Sequence, residues 1–108
     1  MTTQPDRWLI LKICGAPDGG YRVFGMWIGG YLGGDSWRMN SGITCVEETE
    51  RSFLFHGLSG SIYECRKRDY GCTAYGSSIV GPLVNEGRVE ILPEDTDWAN
   101  LILDENTH

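Results

Sequence analysis

Long apolar runs are missing from this chain, and so is an excess of positive charge. The first apolar stretch, Trp8 to Leu11, is broken by Lys12 after four residues, and residues 1–7 ahead of it are polar. Neither a signal-peptide core nor a membrane-spanning helix fits that pattern, so the expectation is a soluble cytoplasmic protein. Nine Lys and Arg stand against fifteen Asp and Glu, for a net charge of −6. A field of that sign disfavours nucleic acid and anionic membrane as direct partners. Histidine is scarce: His56, and His108 at the last position. There is no C-x-x-C and no H-x₃₋₅-H, and the spacings between Cys14, Cys45, Cys65 and Cys72 (31, 20 and 7) belong to no zinc ribbon or finger. The EF-hand ligand pattern is absent as well. No metal or cofactor is therefore expected. Without a secretion signal the four thiols are expected to be free.

What the chain does have is glycine, 15 of 108 residues, with four Trp, five Tyr and three Phe. Twice the usual glycine content points to many tight turns and a β-rich domain, and the length suits one domain spanning 1–108. In Arg7–Cys14, Leu9, Leu11 and Ile13 alternate with Trp8, Ile10, Lys12 and Cys14, which predicts a strand. Ala16-Pro17-Asp18-Gly19-Gly20 is a turn cluster. Tyr21–Ile28 is apolar on both faces and reads as a central strand. The glycines of Gly29–Gly34 do not match G-x-G-x-x-G, so this segment is expected to be a loop, with Tyr31 and Leu32 as its binding-competent side chains.

Ser36–Tyr75 holds three apolar runs and reads as an antiparallel meander, with Trp37–Met39 leading into Ile43–Glu48, then Ser52–Leu58 and Ser61–Lys67. Taking Ser59-Gly60 as a two-residue hairpin turn sets His56 opposite Tyr63 and Leu54 opposite Cys65. A loop centred on Glu50-Arg51 sets Glu48 opposite Phe53 and Cys45 opposite His56. Cys45, His56 and Tyr63 then form one row, expected to be core packing. Thr73–Glu86 carries i, i+4 apolar pairs with Gly87 as a stop, and reads as a short helix despite Pro82. Arg88–Leu92 reads as a strand, Pro93–Asp97 as an acidic turn, and Trp98–Leu103 as a last apolar segment. The sum is an α+β fold: a twisted antiparallel sheet of about five or six strands with one short helix on a face.

Charge placement singles out the C-terminus. Residues 86–108 carry −6, the whole excess of the chain. Arg66-Lys67-Arg68 is the one basic cluster, but Glu64 and Asp69 flank it, which predicts local ion pairs. Glu94, Asp95, Asp97 and Trp98 form the expected partner-binding set, with carboxylates steering and the indole anchoring, joined by Tyr31 from the glycine loop. No catalytic residues are assigned.

Three stretches, Trp37-Arg38-Met39-Asn40-Ser41-Gly42-Ile43, Ser59-Gly60-Ser61-Ile62-Tyr63-Glu64-Cys65 and Pro93-Glu94-Asp95-Thr96-Asp97-Trp98, resemble small uncharacterised proteins of phages and prophages. That resemblance implies a non-enzymatic protein that binds and blocks a host protein in the bacterial cytoplasm, as anti-CRISPR proteins do. The expected partner is a basic protein surface, such as one that ordinarily holds nucleic acid. Two alternatives stand beside this reading. One is a homodimeric or virion-associated structural protein in which spare aromatics bury against a second copy. The other is a small thiol-dependent enzyme using Cys45 and His56.

Overall fold

The computed structural model describes residues 2–15, 20–30 and 34–101. Its strands are β1 (Thr2–Thr3), β2 (Arg7–Ile13), β3 (Tyr21–Trp27), β4 (Ser36–Met39), β5 (Ile43–Glu48), β6 (Ser52–Gly57), β7 (Ile62–Arg66) and β8 (Val89–Ile91). A 3₁₀ turn over Lys67–Asp69 and the helix α1 (Ala74–Asn85) lie between β7 and β8. Most of the expected turn at residues 16–19 and the tip of the glycine loop, Tyr31–Gly33, lie outside the described residues, as do 102–108.

The α+β class holds, but the strands form two sheets rather than one. Sheet A has the order β1-β7-β6-β5 and sheet B the order β4-β3-β2-β8. The reason lies in β2 and β3. Trp8, Ile10, Tyr21 and Val23 project to one side of sheet B and pack with Phe55, Tyr63 and Cys65 of sheet A. Leu9, Leu11, Phe24 and Met26 project to the other side and pack with Val80 of α1. A sheet that is apolar on both faces needs a cover on each, and sheet A and the helix supply the two. β3 is central, between β4 and β2, as its two-sided apolar pattern predicts.

The meander is shorter than its sequence implies. β4 does not lead into β5 within one sheet; it pairs with β3 from Phe24↔Met39 to Trp27↔Ser36. The chain changes sheets at Asn40–Gly42. Buried Asn40 extends the β3 ladder, its backbone N–H donating to the Val23 carbonyl at 3.1 Å while its Oδ1 accepts the Val23 N–H at 2.9 Å. Gly42 has φ +131°, a value that side-chain-bearing residues seldom take.

The β5/β6 register is as expected, with Cys45↔His56 and Glu48↔Phe53. The β6/β7 register is displaced by one residue: Phe55 pairs with Tyr63, Phe53 with Cys65, and His56 with Ile62. The hairpin closes at Gly57 and Ser61, whose N–H···O bond is 2.8 Å, around a three-residue loop with Gly60 at φ +91°. Three-residue loops with a left-handed glycine are the next most common hairpin after the two-residue turn assumed from the sequence. One residue of slip moves a whole strand's side chains to the opposite face. Phe53, Phe55, Tyr63 and Cys65 are thus inside, and Cys45, Leu54 and His56 face outward.

Helix α1 starts on Thr73, whose side chain accepts the Gly76 N–H at 2.9 Å, a standard N-cap. Pro82 sits inside the helix. The far end closes through Glu86 N–H to the Pro82 carbonyl (2.9 Å) and Arg88 N–H to the Leu83 carbonyl (2.9 Å), with Gly87 at φ +71° just past the end.

Candidate functional site

An aromatic cluster joins the two sheets and carries the charged features at the surface. Trp8 is at its centre, with its ring 4.7 Å from Tyr70, 5.6 Å from Phe55, 6.2 Å from Phe53 and 6.1 Å from Trp98. The Trp8 Nε1–H donates to the Arg66 carbonyl at 2.7 Å. The Tyr70 hydroxyl donates to the Leu92 carbonyl, and the Leu92 N–H donates to the Ile10 carbonyl at 3.0 Å, continuing the β2/β8 ladder by one step.

The acidic turn begins immediately after Leu92. Thr96 closes it, both its N–H (3.1 Å) and its Oγ1 (2.6 Å) donating to the Pro93 carbonyl. Asp97 then caps a helical turn at residues 98–101: Oδ1 accepts the Asn100 N–H at 3.3 Å, Oδ2 accepts its side-chain amide at 2.7 Å, and the Asp97 carbonyl accepts the Leu101 N–H at 3.0 Å. Glu94 and Asp95 are exposed and make no ion pair with any described residue. Of the expected contact set, then, Glu94 and Asp95 have free carboxylates and Asp97 is largely engaged in its own cap.

Trp98 is placed differently from its expected role. It is only 1% exposed and belongs to the core, stacked on Tyr70 at 6.0 Å with 12° between the ring planes and set edge-on to Phe55 at 6.4 Å. A buried indole cannot be a surface anchor; Trp98 holds the turn from beneath. Tyr31, the remaining member of the set, lies outside the described residues.

The Cys45–His56–Tyr63 row does not form. Tyr63 is buried on the inner face of sheet A, while Cys45 is exposed on the outer face. His56 is opposite Cys45, but its Nε2 lies 2.7 Å from Glu47 Oε1. No hydrogen bond joins the Cys45 thiol to the imidazole among the described residues. Burial pushes the Cys65 thiol and the Tyr63 hydroxyl above their ordinary values, which makes both poorer nucleophiles. All four cysteines are free, and no group of three His, Cys, Asp or Glu among the described residues is arranged to hold a metal ion.

Beside Tyr70 runs a groove of about 650 Å³ lined by Arg51, Arg66, Lys67 and Arg68. The ion pairs expected at this cluster are present in part. Arg66 Nε lies 2.5 Å from Asp69 Oδ2, and Lys67 Nζ reaches across to Glu48 Oε2 at 2.6 Å while sitting 5.2 Å above the Phe53 ring. Glu64 does not take part and instead accepts from Ser52 Oγ at 3.4 Å. Arg68 is 82% exposed with its Nε 3.9 Å from Asp69, and Arg51 has no ion pair among the described residues. Arg51 is the member that sequence reading left out. The signal was available: extending the β6/β7 hairpin beyond Ser52 and Arg66 brings Arg51 beside Lys67, whose N–H donates to the Arg51 carbonyl at 2.8 Å.

Comparison with protein-family models, curated proteins and solved structures returned no match. Among the described residues no helix is long and apolar enough to cross a membrane.

Proposed function

We propose that this chain is a non-enzymatic binding protein whose acidic C-terminal face, centred on Glu94 and Asp95, occupies a basic surface of a larger protein. The observation that carries the reading is the support under the turn. Trp98 and Tyr70 stack beneath it, Thr96 and Asp97 close it from within, and the two carboxylates left over have no ion-pair partner among the described residues. A loop already fixed in its bound shape loses little entropy on docking. Unpaired carboxylates on such a loop accelerate encounter with a basic surface and select against acidic ones. The net charge of −6, all of it accounted for by residues 86–108 in sequence, has the same sign as the turn.

The resemblance to small phage proteins supports a finer version, in which the partner is a bacterial host protein whose basic channel ordinarily holds nucleic acid and the effect is inhibition of the anti-CRISPR kind. Affinity capture from bacterial lysate with the native chain and with the Glu94→Lys/Asp95→Lys variant tests the proposal. A partner retained by the first and lost by the second is expected; capture of the same partners in equal amounts by both would refute it.

A further inference from the structure

The groove at the end of the β6/β7 hairpin is the opposite of what the overall charge leads one to expect. In a chain of net charge −6, four cationic side chains, Arg51, Arg66, Lys67 and Arg68, line one cavity of about 650 Å³. Among the described residues the carboxylates within ion-pair distance of them are Glu48 and Asp69, an excess of two positive charges in this set of groups. Like charges held this close repel unless something neutralises them, and the internal ion pairs neutralise half.

The backbone beneath the groove is held in place. Trp8 holds the Arg66 carbonyl from the core, and the Lys67 N–H to Arg51 carbonyl bond ties the two strands together at the mouth. Three of the four lining residues are arginines, whose planar forks match phosphate oxygens in pairs. The volume falls within the range of small-molecule sites, roughly 300–1,000 Å³.

We propose that this groove binds a compact phosphate-bearing anion, of the diphosphate or phosphate monoester class. Arg51 and Arg68 supply the uncommitted guanidinium groups, and Arg66 and Lys67 form the floor. A residual charge of +2 calls for a ligand at least doubly negative. The same balance disfavours a long polyanion, because a nucleic acid strand leaving the groove would run onto Glu48, Asp69 and the acidic remainder of the surface. The site is separate from the acidic turn, and the proposed docking of that turn does not depend on it.

The test is calorimetric titration of the native chain with inorganic pyrophosphate at constant ionic strength. Saturable one-to-one binding is expected, weakened at least tenfold in Arg51→Gln/Arg68→Gln, whose two side chains are exposed and whose unfolding midpoint is expected to match that of the native chain. Glu48→Gln, which frees Lys67, is expected to bind several-fold tighter. Glu94→Lys/Asp95→Lys is expected to bind pyrophosphate at least as well as the native chain, so failure of the docking proposal and failure of this one are read separately. No saturable binding, or equal binding by the double arginine variant, would overturn the proposal. So would absence of pyrophosphate binding alongside affinity for single-stranded oligonucleotides that grows with their length, which would make the groove a nucleic-acid surface.

Discussion

Tyr70 and Trp98 lie nearly parallel, 6.0 Å apart, beneath the turn that carries Glu94 and Asp95. Tyr70 immediately follows the 3₁₀ turn that supplies two of the groove's cations, Lys67 and Arg68. One aromatic stack therefore underlies both charged surfaces, so substitutions in the stack and at the surface have different expected effects.

Trp98→Ala removes a fully buried indole from the contact between the sheets. Its expected cost is about 3–5 kcal/mol, enough to unfold much of the population of a domain this size. Trp98→Phe keeps most of the packing and removes an indole N–H that has no hydrogen-bond partner among the described residues. That variant is expected to lose under about 2 kcal/mol. Urea unfolding of both variants checks the contrast; similar midpoints would contradict a place for Trp98 in the core.

Two glycines of α1 make a second contrast. A Cβ on Gly76 would lie 2.4 Å from Met26 Sδ and 3.1 Å from Cys72 Sγ, whereas one on Gly81 meets nothing within 4 Å. Gly76→Ala is expected to destabilise by about 1 kcal/mol or more, because Met26 is fully buried and has little room to yield. Gly81→Ala is expected to change stability by under about 1 kcal/mol, because the gain in helix propensity is offset by the crowding that Pro82 imposes on the residue before it. Thermal unfolding should fall clearly for the first variant and move little for the second.

Burial pushes the Tyr70 hydroxyl up to about 12, and the Glu94 carboxylate adds to the effect. The folded state thus keeps a proton that the unfolded chain releases near pH 10. The sign follows: this contribution to stability is complete below about pH 10 and is lost as pH rises towards about 12. The raised Cys65 and Tyr63 groups act in the same direction. Unfolding free energy measured from pH 8 to 12 should fall throughout the alkaline limb, and Tyr70→Phe should flatten it between about 10 and 12.

Thiol exposure gives a fourth check. Cys14, Cys45 and Cys72 are exposed and Cys65 is buried. Labelling of the native chain with a chromogenic disulfide should consume three thiols rapidly and the fourth at a rate limited by opening of the core. Fast labelling of Cys45 follows from exposure alone, so it no longer separates a nucleophile from a surface cysteine. A catalytic role would instead require labelling at Cys45 to slow markedly in His56→Ala.

Several features were legible in the sequence for identifiable reasons. The two-faced apolar pattern of Tyr21–Ile28 placed it centrally, and Gly87 marked the end of the helix, whose start Pro82 left open to lie later than the observed Ala74. What was hidden depended on partners distant in sequence. Nothing local to Trp37–Met39 says that it pairs with β3 rather than continuing towards β5. Ser59-Gly60 fits a two-residue turn as well as the three-residue loop that forms, and that single residue decided which side of sheet A His56 and Tyr63 would occupy. The acidic turn was found by charge counting. Its indole was misplaced because exposure cannot be read from a Trp beside acids; the stack on Tyr70, 28 positions earlier, is what buries it.

Glu94 and Asp95, held on a rigid support, are the proposed working surface. The most direct measurement is the affinity of the captured partner for the native chain and for Glu94→Lys/Asp95→Lys across a salt series, with unfolding midpoints recorded alongside. A native affinity that falls steeply with salt is expected, with a charge-reversed variant that folds normally but binds at least tenfold more weakly and with a shallower salt dependence. Equal affinity and an equal salt slope for the two folded proteins would contradict that role.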